Sequence, residues 1–109
     1  NSVSAPNLTL VTGTYVGLRA ANHQVTLIVD AAGTLSGHAS DGCTVVGTLY
    51  PHATGNIFHV SMTLEGGACG TETETLTGVA FYDIATHRLY SGALNHTRTT
   101  SFLFLGTKQ

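Results

Sequence analysis

Turn-forming clusters rich in Gly, Pro, Asn, Asp or Thr recur at short intervals along this chain, and no helical period runs between them. They fall at 19–23, 30–33, 40–42, 51–55, 65–73, 83–87 and 95–99. The stretches they separate are short and carry β-branched and aromatic residues, which suit a pleated, half-buried surface. The clearest runs over 58–64, where Phe58, Val60, Met62 and Leu64 alternate with His59, Ser61 and Thr63. Residues 24–29 repeat the pattern with Val25, Leu27 and Val29 inward, and Ile28 breaks it.

The reading predicts eight strands near 13–18, 24–29, 33–39, 43–50, 57–64, 75–82, 88–94 and 100–106. Short strands joined by turns this tight imply an all-β antiparallel meander, as a small barrel or a sandwich. The last strand, Phe102-Leu103-Phe104-Leu105, is apolar on both faces. Left as an exposed edge it would invite aggregation, so it should pair with the first strand, which favours closure. Glycines 17, 37, 47, 78 and 92 fit sharp strand bending in a small barrel.

At 109 residues the chain fits one domain. Residues 1–12 read as a flexible polar lead and 13–109 as the β domain. The start suits a mature protein whose signal, or lipid-bearing start, was removed. Charged residues make up 9% of the chain, against about 25% in ordinary soluble domains. With 42% apolar residues, that balance is the reverse of a disordered chain's. Arg19, Arg88, Arg98 and Lys108 are scattered and form no basic stripe, which argues against nucleic acid as a partner. No apolar run approaches the ~20 residues of a transmembrane helix.

Two cysteines, Cys43 and Cys69, show no C-x-x-C spacing, so zinc and thioredoxin-like chemistry lose support. Two unrelated buried thiols are the bland alternative. The meander favours a disulfide. If the strand from 43 to 50 turns and returns as the strand from 57 to 64, residues near 43 lie opposite residues near 64. The glycine-rich stretch at 66–70 then brings Cys69 back to Cys43. Such a bridge contributes ~3–3.5 kcal/mol through loop-closure entropy and requires an oxidising compartment.

The elements Gly13-Thr14-Tyr15-Val16-Gly17, Asp30-Ala31-Ala32-Gly33-Thr34-Leu35-Ser36-Gly37, Ser40-Asp41-Gly42-Cys43-Thr44, Cys69 and Thr77-Gly78-Val79-Ala80-Phe81-Tyr82-Asp83 cover most of residues 13 to 105. In them the chain resembles small exported or lipoprotein-like β domains of proteobacteria. The resemblance implies a bacterial envelope protein with a disulfide-bearing β domain, in the periplasm, anchored at the outer membrane or secreted. It carries over no activity, ligand or catalytic residue. A weaker likeness to avidin- and lipocalin-type barrels rests on architecture, and the chain lacks tryptophan.

Chemistry-bearing residues are sparse. The barrel end that would hold the disulfide gathers His23, His38 and His96 with several carboxylates, a donor set suited to zinc or copper. None of these histidines has tight H-x-H or H-x-x-x-H spacing, so solvated turn histidines are the simpler reading. No G-x-S-x-G elbow or desolvated acid pair marks catalysis, and the chain reads as a non-enzyme without cofactors. Asn7-Leu8-Thr9 and Asn95-His96-Thr97 match glycosylation acceptors, a match without weight in a bacterial protein. Tyr15, Tyr50, Tyr82 and Tyr90 would line a cavity if they gathered at one open barrel end.

The leading expectation is a binding domain that docks a protein of the envelope or host, inhibitor-like in manner. Its contact would be the 65–74 loop bearing Glu65, Glu72 and Glu74, because loops on rigid scaffolds carry recognition. Pairing at an incompletely closed sheet edge is another route to a protein partner. Alternatives are a calycin-like barrel with an interior ligand and a metal-binding domain.

Overall fold

The computed structural model describes residues 8–19, 24–51, 57–67, 74–99 and 101–109, with the side chains of Arg19 and Glu74 excepted. Eight strands follow one short helix: α1 (Leu8–Val11), β1 (Gly13–Arg19), β2 (Gln24–Val29), β3 (Thr34–Ala39), β4 (Thr44–Pro51), β5 (Ile57–Glu65), β6 (Glu74–Asp83), β7 (Arg88–Leu94) and β8 (Ser101–Lys108). Each strand pairs antiparallel with its sequence neighbours, and β1 pairs with β8, so the sheet is a closed barrel rather than a sandwich. Closure leaves no free edge, which removes edge pairing as a binding mode.

Alternation decides what fills the barrel. In β5 every second residue is buried: Phe58, Val60, Met62 and Leu64 point inward as the sequence pattern requires. Tyr15, Leu27, Leu35, Leu76, Leu89 and Phe102 join them, each with at most 2% of its surface exposed. An eight-stranded barrel has an interior just wide enough for side chains to fill, and this one is filled by large apolar groups. Each such side chain contributes about 1.5–3 kcal/mol by leaving water.

Close strand approach needs small inward residues. A Cβ on Gly78 would fall onto the backbone of Gly92 and Ala93 in the neighbouring strand, so only glycine lets β6 and β7 coil this tightly.

One end of the barrel is plugged. Residues 8–12, within the segment expected to be a polar lead, pack against the barrel. Val11 is fully buried, Leu8 packs on the core, and the Thr12 amide donates to the Leu8 carbonyl at 2.9 Å. The Tyr15 hydroxyl donates to the Val11 carbonyl at 2.7 Å, tying the plug to the barrel wall. From β8, Lys108 Nζ donates to the Leu10 carbonyl at 2.7 Å and lies 5.2 Å from the centre of the Tyr82 ring. Burial, with the charge Tyr82 would carry as a second cause, pushes the Tyr15 phenol above its ordinary pKa.

At the opposite end the β3–β4 turn meets the connection that leaves β5. Gly67 sits so close to the backbone of Asp41 and Gly42 that a Cβ would overlap it, and its φ of 51° is one glycine adopts readily. Cys43, beside this contact, is fully buried. Cys69 lies outside the described residues.

Candidate functional site

Residues alternating outward would be polar on a barrel that met only water. On β2, β3 and β4 most are: Gln24, Thr26, Thr34, Ser36, His38, Thr44 and Thr48 face out, with Ile28, Val46 and Tyr50 as apolar exceptions. The wall built by β6, β7, β8 and the end of β1 is different. There the central outward positions are Val79, Phe81, Tyr90, Leu94, Leu103, Leu105 and Leu18, each 38–58% exposed, with Thr75, Thr77, Asp83, Arg88, Ser101 and Thr107 outward around them.

Register assembles these into a continuous surface. Ile57 pairs with Phe81, Phe81 with Tyr90, Tyr90 with Leu105 and Leu105 with Leu18. One apolar row therefore crosses five strands. The next row runs His59, Val79, Gly92 and Leu103. Directly opposed side chains lie ~5 Å apart, within contact of one another. The rings of Phe81 and Tyr90, for example, are 6.1 Å apart and inclined by 37°.

Gly92 is the one position in these rows without a side chain, and the surface sinks there. A groove of about 470 Å³, lined by Leu18, Val79, Phe81, Tyr90, Leu103 and Leu105 among others, runs beside it. A second depression of about 280 Å³ continues past Leu94. Leu103, the most exposed of the set at 58%, reaches over Gly92, its Cδ2 3.4 Å from where a Cβ there would stand.

No described side chain within these rows is charged. Asp83 and Arg88, which pair across β6 and β7, border the wall on the plugged side, and Arg98 lies in the turn beyond β7 at the other. An apolar centre with a polar margin is how protein-docking surfaces are built. Contiguous exposed apolar area beyond a few hundred Å² is uncommon on monomers.

Of the residues singled out in the sequence, His38, Glu65, Glu74 and His96 lie at the barrel end opposite α1. His38 faces outward from β3, whereas His96 lies in the β7–β8 turn on the opposite side of the barrel, and His23 is outside the described residues. Among the described residues no group of three or more His, Cys, Asp or Glu is placed to hold a metal ion. Glu65 is exposed at the end of β5, where its carbonyl accepts from Thr44 Oγ1 at 3.0 Å. Glu74 begins β6, and Glu72 is outside the described residues.

The tyrosines do not gather at one open end. Tyr15 and Tyr82 pack edge to face inside the barrel, 6.2 Å apart, and the Tyr82 hydroxyl meets His87 Nδ1 at 3.1 Å. Tyr50 and Tyr90 are outside, Tyr50 stacked 5.2 Å from the His59 ring.

Sequence reasoning missed the wall. Its one signal was the final strand, apolar on both faces, together with the outward parity of Val79, Phe81 and Tyr90. No family model, no curated protein and no solved structure matches the chain.

Proposed function

We propose that this chain is a non-enzymatic binding domain of a bacterial envelope or cell surface, which docks a protein partner on the wall formed by β6, β7, β8 and the end of β1. The observation that carries the reading is the uncharged apolar row from Ile57 to Leu18, left half exposed on a barrel whose interior is already full. The resemblance to small exported or lipoprotein-like domains enters as part of this proposal and supplies the compartment.

A Cys43–Cys69 disulfide belongs to the same proposal. Its support is that Cys43 is buried with no free thiol, and that Gly67 packs on Asp41 and Gly42 two residues before Cys69. An oxidising compartment accompanies it. The non-enzymatic reading draws on the placement of the titratable groups. The described carboxylates lie at turns and strand ends, and of the two buried phenols the Tyr15 hydroxyl is committed to the Val11 carbonyl and the Tyr82 hydroxyl meets His87 Nδ1. An interior ligand is disfavoured by the volume that Phe58, Met62, Phe102 and their neighbours already occupy.

Photo-crosslinking tests the assignment. A benzophenone side chain at Leu103, in the producing cell's envelope fraction, should trap one defined protein. The same group at Thr48 on the opposite wall should trap none. A third position, Glu65, tests the acidic connection as the alternative contact. Adducts from Glu65 but not from Leu103 would move the site to the loops, and no selective adduct from either would refute the reading.

A further inference from the structure

If the wall is a contact surface, its chemistry names the occupant. Resting on that reading, we propose that the partner is a second copy of this chain, docked wall to wall in a symmetric dimer.

Area is the first argument. From their exposures, Leu18, Ile57, Val79, Phe81, Tyr90, Leu94, Leu103 and Leu105 together present roughly 700 Å² of accessible surface. The largest apolar patch on a typical monomer is about 300–600 Å². A standard stable interface covers about 800 Å² on each partner. The wall exceeds the first figure and, with its polar margin, reaches the second.

Charge is the second argument. A face without charged side chains selects a partner without them, because an ion facing it would lose its water and gain no counter-charge. The outward side chains of β2–β4 are uncharged as well, but they are mostly Thr, Ser, Gln and His, whose polar groups an apolar face would leave without hydrogen bonds. Among the described residues, the surface that is both uncharged and apolar over this extent is this wall, which a second copy supplies.

Shape is the third. A two-fold interface must be self-complementary, with residue i meeting j and j meeting i. Leu103 and Gly92 are directly paired on β8 and β7, and the Leu103 side chain reaches over Gly92 with a depression on either side of it. A two-fold axis beside Leu103 seats each Leu103 in the other copy's groove along Phe81, Tyr90 and Leu105.

Sedimentation equilibrium over about a hundredfold range of concentration reads the outcome, since mass action makes a reversible dimer concentration-dependent. The wild-type mass should rise from one chain to two. Leu103→Glu should weaken association at least about tenfold, as loss of a central apolar anchor does. Val46→Glu, at a comparably exposed apolar position on the opposite wall, should leave it unchanged. Circular dichroism should show both variants folded, since each side chain is more than half exposed.

A wild-type chain that stays monomeric throughout would overturn the dimer, as would association that Leu103→Glu leaves intact. Monomers whose Leu103 crosslinker traps a different protein would overturn the dimer while sustaining the wall as a contact. Flotation with phosphatidylethanolamine–phosphatidylglycerol vesicles, lost in Leu103→Glu, would overturn it in favour of a lipid surface.

Discussion

The plug at the α1 end makes stability depend on alkaline pH, and Tyr15→Phe isolates the cause. Tyr15 is fully buried, donates to the Val11 carbonyl at 2.7 Å, and has its pKa pushed up by burial and by Tyr82. An unfolded tyrosine releases its proton near pH 10, whereas folded Tyr15 keeps it. Above that pH the unfolded state binds fewer protons than the folded one, so stability falls as pH rises. The loss is about 1.4 kcal/mol per pH unit for this one group, and below pH 10 its contribution is fully present. Replacing Tyr15 by Phe removes the hydrogen bond, which costs about 1 kcal/mol near neutrality. It also removes the titration, so the two stabilities should converge above pH 10 and cross near pH ~11. Urea unfolding of both proteins, from pH 7 upward, measures the difference directly. Parallel curves, with the gap at pH 7 preserved at pH 11, would refute both the burial argument and the hydrogen bond's part in holding the plug.

Three further substitutions test the packing. Asn95 is 5% exposed and organises the β7–β8 turn, donating from Nδ2 to Thr97 and Thr99 Oγ1 while Oδ1 accepts from the Thr99 amide. Asn95→Ala should cost about 2 kcal/mol in urea unfolding, and hydrogen exchange should speed up at the Thr99 amide. Ser91 Oγ is buried without a partner among the described residues, so Ser91→Ala should stabilise the domain by about 1 kcal/mol, raising Tm by ~4 °C. Gly78→Ala forces a Cβ against the backbone of Gly92 and Ala93 and should destabilise by about 1–3 kcal/mol, read in the same unfolding assay.

Much of the architecture was legible because side-chain period and turn chemistry say the same thing along most of the chain. In β5, alternating Phe58, Val60, Met62 and Leu64 set the inward face, and 51–55 and 65–73 mark its ends. A hairpin reversing at 51–55 places residues near 43 opposite residues near 64, and the observed register, Thr44 opposite Glu65, lies two residues further along. The helix at Leu8–Val11 escaped because four residues, Leu8-Thr9-Leu10-Val11, give barely one turn of period. Its stability comes from the plugged barrel mouth, a tertiary cause that local sequence does not carry. The wall escaped for a related reason. Leu18 and Leu105 are 87 positions apart and become neighbours only through the β1–β8 seam. Outward parity could be read strand by strand, but the continuous row depends on closure and on register.

Stability of a single barrel does not account for that row. Side chains that stay about half exposed after folding return only part of their transfer free energy. β-propensity does not require them either, since Thr fills outward positions at Thr26, Thr34, Thr44 and Thr48, and its branched side chain suits a strand equally well. On the wall itself Thr77 and Thr107 stand in the same strands as Val79 and Leu105. Thr at Phe81, Leu103 or Leu105 would therefore preserve the strands and lower the hazard of an exposed apolar surface. Leucine and phenylalanine there become favourable once something covers them. The closed sheet has no edge to lend, so whatever covers them must do so with side chains alone.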